Sequence, residues 1–390
     1  MKTCLEDVRI VELARYQALP RGGLLLRDLG AEVIKVEPLE GEDLRRTGPF
    51  VHGQSVQFAA YNRGKKSVAV DLRSKEGKAL LADLLRCSDV LLENFKPGTL
   101  DVMGFPKDVL RRLNPTLIVC SVSGFGQYGP YREWRSYDPI IQAMSGIAHQ
   151  TGRPFGQPIL AEGPIMDRLT AMHGAAGVLA ALRWRDRTGM GQFIDVAMLD
   201  AGISYEEVAL AVAHATGEDE FLRGGTFMKC VDGWVITGSA RGVMWKKLLE
   251  LMGFHDLARD ADFTAPMWTS RKSEERIELF RLWAEDKQVN VVVETLQSNA
   301  VPCAPVWSIM DVLHDPHLKA RGAMVEMPLD DEGKKTMLMP GMIIKMSETP
   351  TEIRGIPRLG EHNREILGGV LGLGDGQVAR LREQKVITEA

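Results

Sequence analysis

Short apolar, β-branched runs alternate with helical spacings along the first half of the chain. From Val8 the runs read RIVEL, AEVIKVE, SVAVDL, DVLLEN and LIVCSVS, and between them GGLLLRDLG and the segment from Lys75 to Cys87 carry helical periodicity. That alternation predicts βαβ units on a parallel sheet and places the chain in the α/β class. Asn114-Pro115 punctuates the helix before LIVCSVS, which ends at a glycine cluster from Gly124 to Gly129. Helical spacing resumes from Tyr137 to Gly146 and from Pro164 to Arg187. In the second of these, Ala, Leu and Met fill nearly every face except at Asp167, Arg168, His173 and the terminal arginines, so a deeply buried helix is expected. FIDVAML and a helix to about Thr216 follow.

Beyond that point the pattern changes to GWVITGS, helices rich in Trp, Lys and Glu, and VPCAPVWS. We assign residues 1–215 to the first part of a large domain, 225–325 to a smaller α+β domain and 326–390 to a C-terminal segment. That last segment holds strand-like AMVEM and MIIKM, a charged helix EHNREIL and a final helix from Gly376 to Gln384. The length of 390 residues exceeds one comfortable core, which also favours two units.

Composition excludes more than it proposes. Forty-eight basic against 52 acidic side chains, with no recurring Lys/Arg block, argue against a nucleic-acid partner. Cys4, Cys87, Cys120, Cys230 and Cys303 are scattered, without the spacing of a metal site or a redox dithiol. The opening Met-Lys-Thr-Cys-Leu-Glu-Asp puts acids where a signal peptide needs an apolar core, and no apolar run approaches the ~18 residues of a spanning helix. A cytoplasmic protein without membrane attachment is expected.

Gly124-Phe-Gly-Gln-Tyr-Gly129 spells the dinucleotide pattern G-x-G-x-x-G after a strand. Its context fails, because Pro130 and YREWR follow in place of a helix, and no acid stands about 20 residues on to hold a ribose. A glycine turn over a pocket is the reading retained. Gly163-Pro164-Ile-Met-Asp167 puts Asp167 in a first helical turn, where orphan N–H groups and the helix dipole favour the ionised, nucleophilic carboxylate. A stabilising surface charge explains an Asp there equally well. Arg63, Lys65 and Lys66 in NRGKKS read as a solvated face or as a phosphate-binding cluster. In ENFKPG, Asn94, Phe95 and Lys96 follow a strand and can offer an amide, an aromatic face and a cation to a nucleotide, although the Pro97-Gly98 turn alone would explain the segment. His173, six residues beyond Asp167, is rotated away from it on a regular helix.

Taken in order, LLLRDLGAEVIKVEPLEGEDLRR, NRGKKSVAVDLRSKEGK, ENFKPGTLDVMGF, NPTLIVCSVSGFGQYGPY, YDPIIQAMSG, MDRLTAMHGAAGVLAAL, TGMGQFIDVAML, VPCAPV and LGEHNREIL closely resemble the class III CoA-transferases, the family of formyl-CoA transferase and carnitine CoA-transferase. The resemblance runs from about Leu5 to Leu367. It implies an interlocked homodimer, each chain having a Rossmann-like large domain and a small domain, with the C-terminal segment returning to the large one. It also implies that Asp167 is the catalytic nucleophile, with Tyr16, Gln17 and Ala18 on a loop near the thioester and Gln17 sharing in catalysis. By the same matching Val70, Asp71, Leu72, Arg73, Asn94, Phe95, Lys96 and Met103 fall on CoA-contacting positions. Arg135 and Tyr137 match positions that reach the CoA phosphates and the reacting end. No permanent cofactor and no metal are implied; acyl-CoA and a small carboxylic acid are the substrates.

The route implied is covalent. Asp167 attacks the donor thioester to give a mixed anhydride and CoA thiolate, and the thiolate returns to form an aspartyl-CoA thioester from which the acceptor acid recovers CoA. Backbone N–H groups near Gln17 and Ala18 would stabilise the oxyanions. Two departures bear on the substrate. Val102 stands where formyl-CoA transferase has an arginine, so that phosphate contact is either lost or supplied by Lys96 instead, and VITGSARGVMW lacks the glycine-rich loop that covers the formyl or oxalyl group. Arg135-Ser136-Tyr137-Asp138 also lacks the histidine of the related α-methylacyl-CoA racemases, which argues for transfer over racemisation. A racemase-like epimerase of the same fold and a noncatalytic CoA-binding protein are the remaining alternatives.

Overall fold

The computed structural model describes residues 3–219, 225–237, 242–265, 271–330 and 332–388. The chain divides into two compact units, Met1–His214 together with Arg321–Ala390, and Ala215–Ala320.

The first unit is built on six parallel strands: β1 (Arg9–Glu12), β2 (Glu32–Glu37), β3 (Lys66–Ala69), β4 (Val90–Glu93), β5 (Ile118–Ser123) and β6 (Phe193–Ala197). They lie in the order β3-β2-β1-β4-β5-β6. Strands buried on both faces must be apolar almost throughout, and β4 has all four residues buried. The α/β reading of the alternating pattern therefore holds. The order reverses between β1 and β4, and a doubly wound sheet opens its ligand crevice there, at the carboxyl ends of the strands.

Helix α1 (Ala18–Asp28) follows β1, α2 (Val56–Asn62) precedes β3, α3 (Asp138–Met144) follows β5, and α4 (Ile165–Thr188) precedes β6. Helices α1 and α4 approach closely because glycines line the contact. A Cβ on Gly22 would stand 2.9 Å from the Ala171 carbonyl oxygen, and one on Gly174 would stand 3.2 Å from Leu19. Gly189, left-handed at φ 71°, ends α4. The edge strand β3 is covered by the C-terminal segment. Ala69 donates to Asn363 Oδ1 at 2.9 Å, and His362 donates its backbone N–H to the Ser67 carbonyl at 3.0 Å.

Three expectations change. Only one stripe of α4 is buried, including Met166, Ala171, Ala175 and Val178, while Met172, Leu179 and Trp184 are exposed. Periodicity could not reveal this, since both faces are apolar. MIIKM is not a strand; AMVEM instead pairs, as Met324–Pro328, with Thr336–Pro340. EHNREIL closes in a π-helix over Glu365–Val370.

The second unit has three antiparallel strands, Thr226–Lys229, Trp234–Thr237 and Cys303–Pro305. Its helices pack Leu248, Phe280, Val292 and Leu296 into a core around Trp245. Arg276, fully buried, donates to the Phe263 and Ala265 carbonyls at 2.9 and 2.6 Å and lies over the Trp245 ring.

Helix Lys75–Arg86 starts where Ser74 accepts from the Gly77 N–H at 2.9 Å, and a Cβ on Gly77 would stand 2.0 Å from the Asp71 carbonyl oxygen. Gly77→Ala is expected to displace the Asp71–Ser74 turn and to cost about 1–3 kcal/mol in urea unfolding.

Candidate active site

Two loops meet at the carboxyl end of the sheet, where the strand order reverses. The loop after β1 carries Arg15, Tyr16 and Gln17, and the loop after β4 carries Asn94, Phe95 and Lys96. Asn94 Oδ1 accepts from the Arg15 N–H at 2.8 Å, and Asn94 Nδ2 donates to the Arg15 carbonyl at 2.7 Å. Both ends of the Asn94 amide are thus engaged with backbone. Tyr16 takes φ 60°, a left-handed conformation that a non-glycine residue holds only when its surroundings impose it. Its hydroxyl donates to Asp43 at 2.9 Å, and its ring meets Tyr137 edge-on with centroids 6.3 Å apart. Gln17, at the entry to α1, accepts from the Tyr61 hydroxyl at 2.8 Å, and Ala18 is buried in the first turn.

Asp167 lies in the first turn of α4. The N–H groups that would have stabilised its charge are taken by another carboxylate. Asp138, buried at the start of α3, accepts from the Met166 N–H at 2.6 Å and the Asp167 N–H at 3.0 Å through one oxygen, and from Gln142 Nε2 at 2.5 Å through the other. Asp138 caps α4 from outside it. Among the described residues no hydrogen bond reaches the Asp167 carboxyl itself. Burial, then the Asp138 charge, push this carboxyl up to about 7, with Arg168 pulling it back. The first-turn N–H groups expected to support the Asp167 anion go instead to Asp138, while desolvation and that like charge act against the anion. Only the ionised fraction of this carboxyl is a nucleophile, and a carboxylate poorly solvated and little hydrogen-bonded attacks more readily than a fully paired one.

Arg21, one helical turn along α1 from Gln17, is held below the usual guanidinium range mainly by burial, with Arg63 and Arg168 adding repulsion and Asp28 opposing it. Arg168 neighbours Asp167 in sequence.

The other residues singled out above are distributed around the same end of the sheet. Val70 is buried and pairs with Ile387, while the Asp71 N–H donates to the Val386 carbonyl at 2.8 Å. Asp71 Oδ1 accepts from the Arg73 N–H at 3.0 Å, which folds Asp71, Leu72 and Arg73 into a tight turn. Phe95 and Met103 pack against the core. Lys96 is ion-paired with Glu133 at 2.8 Å, and Val102 is exposed. Arg135 and Tyr137 are exposed. A cleft of about 450 Å³ opens beside Lys96, lined among others by Glu93, Ser121, Arg132 and Phe193. Burial pushes the Glu93 carboxyl up to about 7.

The basic cluster does neither thing expected of it. Arg63 forms a bidentate pair with Asp28 at 2.9 and 2.7 Å, and Lys65 is buried on Glu12 at 2.7 and 2.8 Å. Lys66 bridges Glu32 and Glu365 at 2.5 and 2.6 Å. The glycine turn Gly124–Gly129 donates the Gln127 N–H to Asp195 at 3.0 Å, and no helix begins at Gly129. His173 is paired with the Leu169 carbonyl of its own helix at 2.9 Å. Asp43 and Tyr61 escaped sequence reasoning, and Asp138 read there only as a charge opening α3, because each acts on a residue distant in the chain. The one local signal was an Asp-Pro pair opening α3.

The sequence model of CoA-transferase family III matches residues 5–363 of the chain. The chain belongs to this family. It is 35% identical over 397 residues to the succinyl-CoA–L-malate CoA-transferase beta subunit of Chloroflexus aurantiacus, covering 98% of each chain. It is 34% identical over 413 residues to a formyl-CoA:oxalate CoA-transferase of Streptomyces coelicolor, covering 98% of this chain and 99% of the relative. A crystal structure of a CAIB/BAIF family protein from Brucella suis matches with a TM-score of 0.82 at 33% identity, over 95% of this chain and 100% of that one. As a family III CoA-transferase, the chain offers Asp167 as an unbonded, proton-poised carboxyl beside a capped helix start. The stretch VITGSARGVMW, read above as lacking a covering glycine loop, includes residues 238–241, which lie outside the described residues. Among the described residues no helix is long and apolar enough to cross a membrane, and no group of three or more His, Cys, Asp and Glu is placed to hold a metal ion.

Asp138→Asn removes the charge beside Asp167 while leaving one oxygen to accept. The acid limb of the pH–kcat/KM profile is expected to move down by about one pH unit. With that oxygen kept on the Met166 and Asp167 N–H groups, the bond lost is the one from Gln142 Nε2, and it is expected to cost about 1 kcal/mol in thermal unfolding.

Proposed function

We propose that the protein transfers CoA from an acyl-CoA to a small carboxylic acid through an aspartyl-CoA thioester on Asp167. The observation that carries this is the state of Asp167: partly buried in the first turn of α4, with the N–H groups there taken by Asp138, no hydrogen bond to its own carboxyl among the described residues, and a carboxyl pushed up to about 7 by burial and the Asp138 charge. A buried carboxyl left unpartnered is a cost with no structural return, as expected of a reacting group. Ionised, Asp167 attacks the thioester carbonyl. CoA thiolate leaves the resulting mixed anhydride and then attacks the aspartyl carbonyl, releasing the donor acid. The acceptor carboxylate next attacks the thioester carbon, and returning thiolate takes the acyl group to restore Asp167. Backbone donors of the Gln17–Ala18 turn stabilise the oxyanions. The turn at Val70–Arg73, Phe95 and Lys96 after β4, and the exposed Tyr137 and Arg135 line the path for CoA.

We further propose a homodimer. The outward face of α4 exposes Met172, Leu179 and Trp184, and the helices Met198–Tyr205 and Glu207–Thr216 expose Ile203, Tyr205, Val208 and Leu210 in the single chain. Apolar surface of that kind is characteristic of an interface. Light scattering is expected to give twice the mass of one chain.

Asp167→Asn tests the mechanism. Transfer is expected to fall on the order of 10⁴-fold, with loss of the hydroxylamine-sensitive adduct seen by mass spectrometry. Retention of that adduct would refute the assignment. The same change should alter stability with a defined sign. Because folding raises the Asp167 pKa, ionisation weakens the fold as pH rises through about 7, and the weakening is absent below the unfolded value near 4. Asp167→Asn is therefore expected to stabilise the protein by about 2–4 kcal/mol near pH 8 and not near pH 4.

A further inference from the structure

The transfer mechanism leaves one set of buried groups unused: the charges at the carboxyl ends of β1 and β2. Glu12 and Lys35 are register partners on these adjacent strands, and both are buried, as is Lys65 just before β3. Lys65 Nζ donates to both Glu12 oxygens at 2.7 and 2.8 Å, and Lys35 Nζ approaches Glu12 Oε1 at 3.3 Å. Lys35 Nζ also lies 2.5 Å from Glu42 Oε2, a contact of charge that is not aligned as a hydrogen bond. Two anions and two cations thus balance one another away from solvent.

Each ammonium also donates to a main-chain carbonyl beside one turn, and Lys65 reaches Asn62 Oδ1 at 3.1 Å as well. Lys35 Nζ donates to the Ala14 carbonyl at 2.9 Å, and Lys65 Nζ donates to the Pro20 carbonyl at 2.9 Å. The segment between these two anchors contains Tyr16, at φ 60°, and Gln17. Asn94 holds the middle of it through both polar atoms of the Arg15 peptide backbone. Hydrophobic replacement of a buried ion cluster is often neutral or stabilising, so the charges are not required for stability as such. What they supply is direction: a strained turn gripped before, within and after its left-handed residue.

We propose that Asn94 and the Glu12–Lys35–Lys65 cluster are positioning residues for transfer, holding the Arg15–Gln17 turn in its left-handed form without touching substrate. The inference rests on the reading that this turn faces the reacting thioester. It also gives Asn94 a different part from the direct CoA contact that its place in the chain suggested. Displacement of a reacting site by an ångström can lower rates by roughly a hundredfold while leaving remote binding intact.

The test uses full-length Asn94→Ala and Lys65→Met proteins, assayed with one active acyl-CoA and acceptor pair, with amide hydrogen exchange followed over residues 14–18. Asn94 is half-buried and outside the ion cluster, so its variant is informative even if Lys65→Met fails to fold; the double variant Glu12→Gln/Lys65→Met, which removes opposite charges together, provides a second route. We expect faster exchange at the Arg15 amide, a kcat lower by about ten- to a hundredfold, and a KM for acyl-CoA within about twofold of the parent. A raised KM with unchanged kcat and unchanged exchange in Asn94→Ala would overturn the proposal and make Asn94 a ligand contact. Unchanged kcat despite faster exchange would overturn it too, as would a kcat loss accounted for by the unfolded fraction. An active Asp167→Asn protein would instead refute the covalent reading, and the exchange data would still report whether the clamp holds the turn.

Discussion

The Glu12 carboxylate, buried at the end of the first strand, sets the conditions for the rest of the site. An unpaired ion in that position would be untenable, so Lys35 and Lys65 are drawn in beneath the loops. The two ammonium groups have donors beyond those that Glu12 and Glu42 engage, and the surplus reaches the Ala14 and Pro20 carbonyls and Asn62 Oδ1. Charge balance in the sheet thereby becomes shape in the loop above it. Burial still weighs on the arrangement, drawing the Lys65 ammonium down to about 8.

A second carboxylate pair works in the opposite sense. Asp138 and Asp167 compete for one helix N-terminus, and geometry gives the N–H groups to Asp138. Asp167 is left with the desolvation cost, a like charge beside it, and only Arg168 in compensation. Two acids of the same type thus acquire different roles, one fixing the helix and the other free to react. The close approach of α1 and α4 at Gly22 and Gly174 makes this possible, because it brings the helix bearing Asp167 against the helix that begins at the Tyr16–Gln17 turn.

Much of this was legible in the chain. Apolar runs of four to six residues separated by amphipathic segments define parallel strands and their crossovers, since both signals are local. The position of Asp167 in a first helical turn was legible for the same reason, through Gly163-Pro164. The order of nine modest motifs pointed to the family. Less legible was the meaning of each charge. Arg63, Lys65 and Lys66 read alike in NRGKKS, yet one is clamped on Asp28, one is buried on Glu12 and one bridges Glu32 and Glu365. The long helix Ile165–Thr188 read as buried all round, yet one of its apolar faces is exposed in the single chain.

By itself, then, the sequence determined where strands and helices begin, that the sheet is parallel, and which carboxyl stands at a helix start. Periodicity, glycine and proline are properties of neighbouring residues. Tertiary structure alone decided which cations are structural, which carboxylate takes the helix N–H groups, and that Asp167 is protonated far above an ordinary aspartate. These depend on distance and dielectric between groups 28 and 53 residues apart, as for Asp138 with Met166 and Glu12 with Lys65. Coulombic and desolvation energies of that kind have no signature in local order, because they exist only once folding has removed the water between the charges.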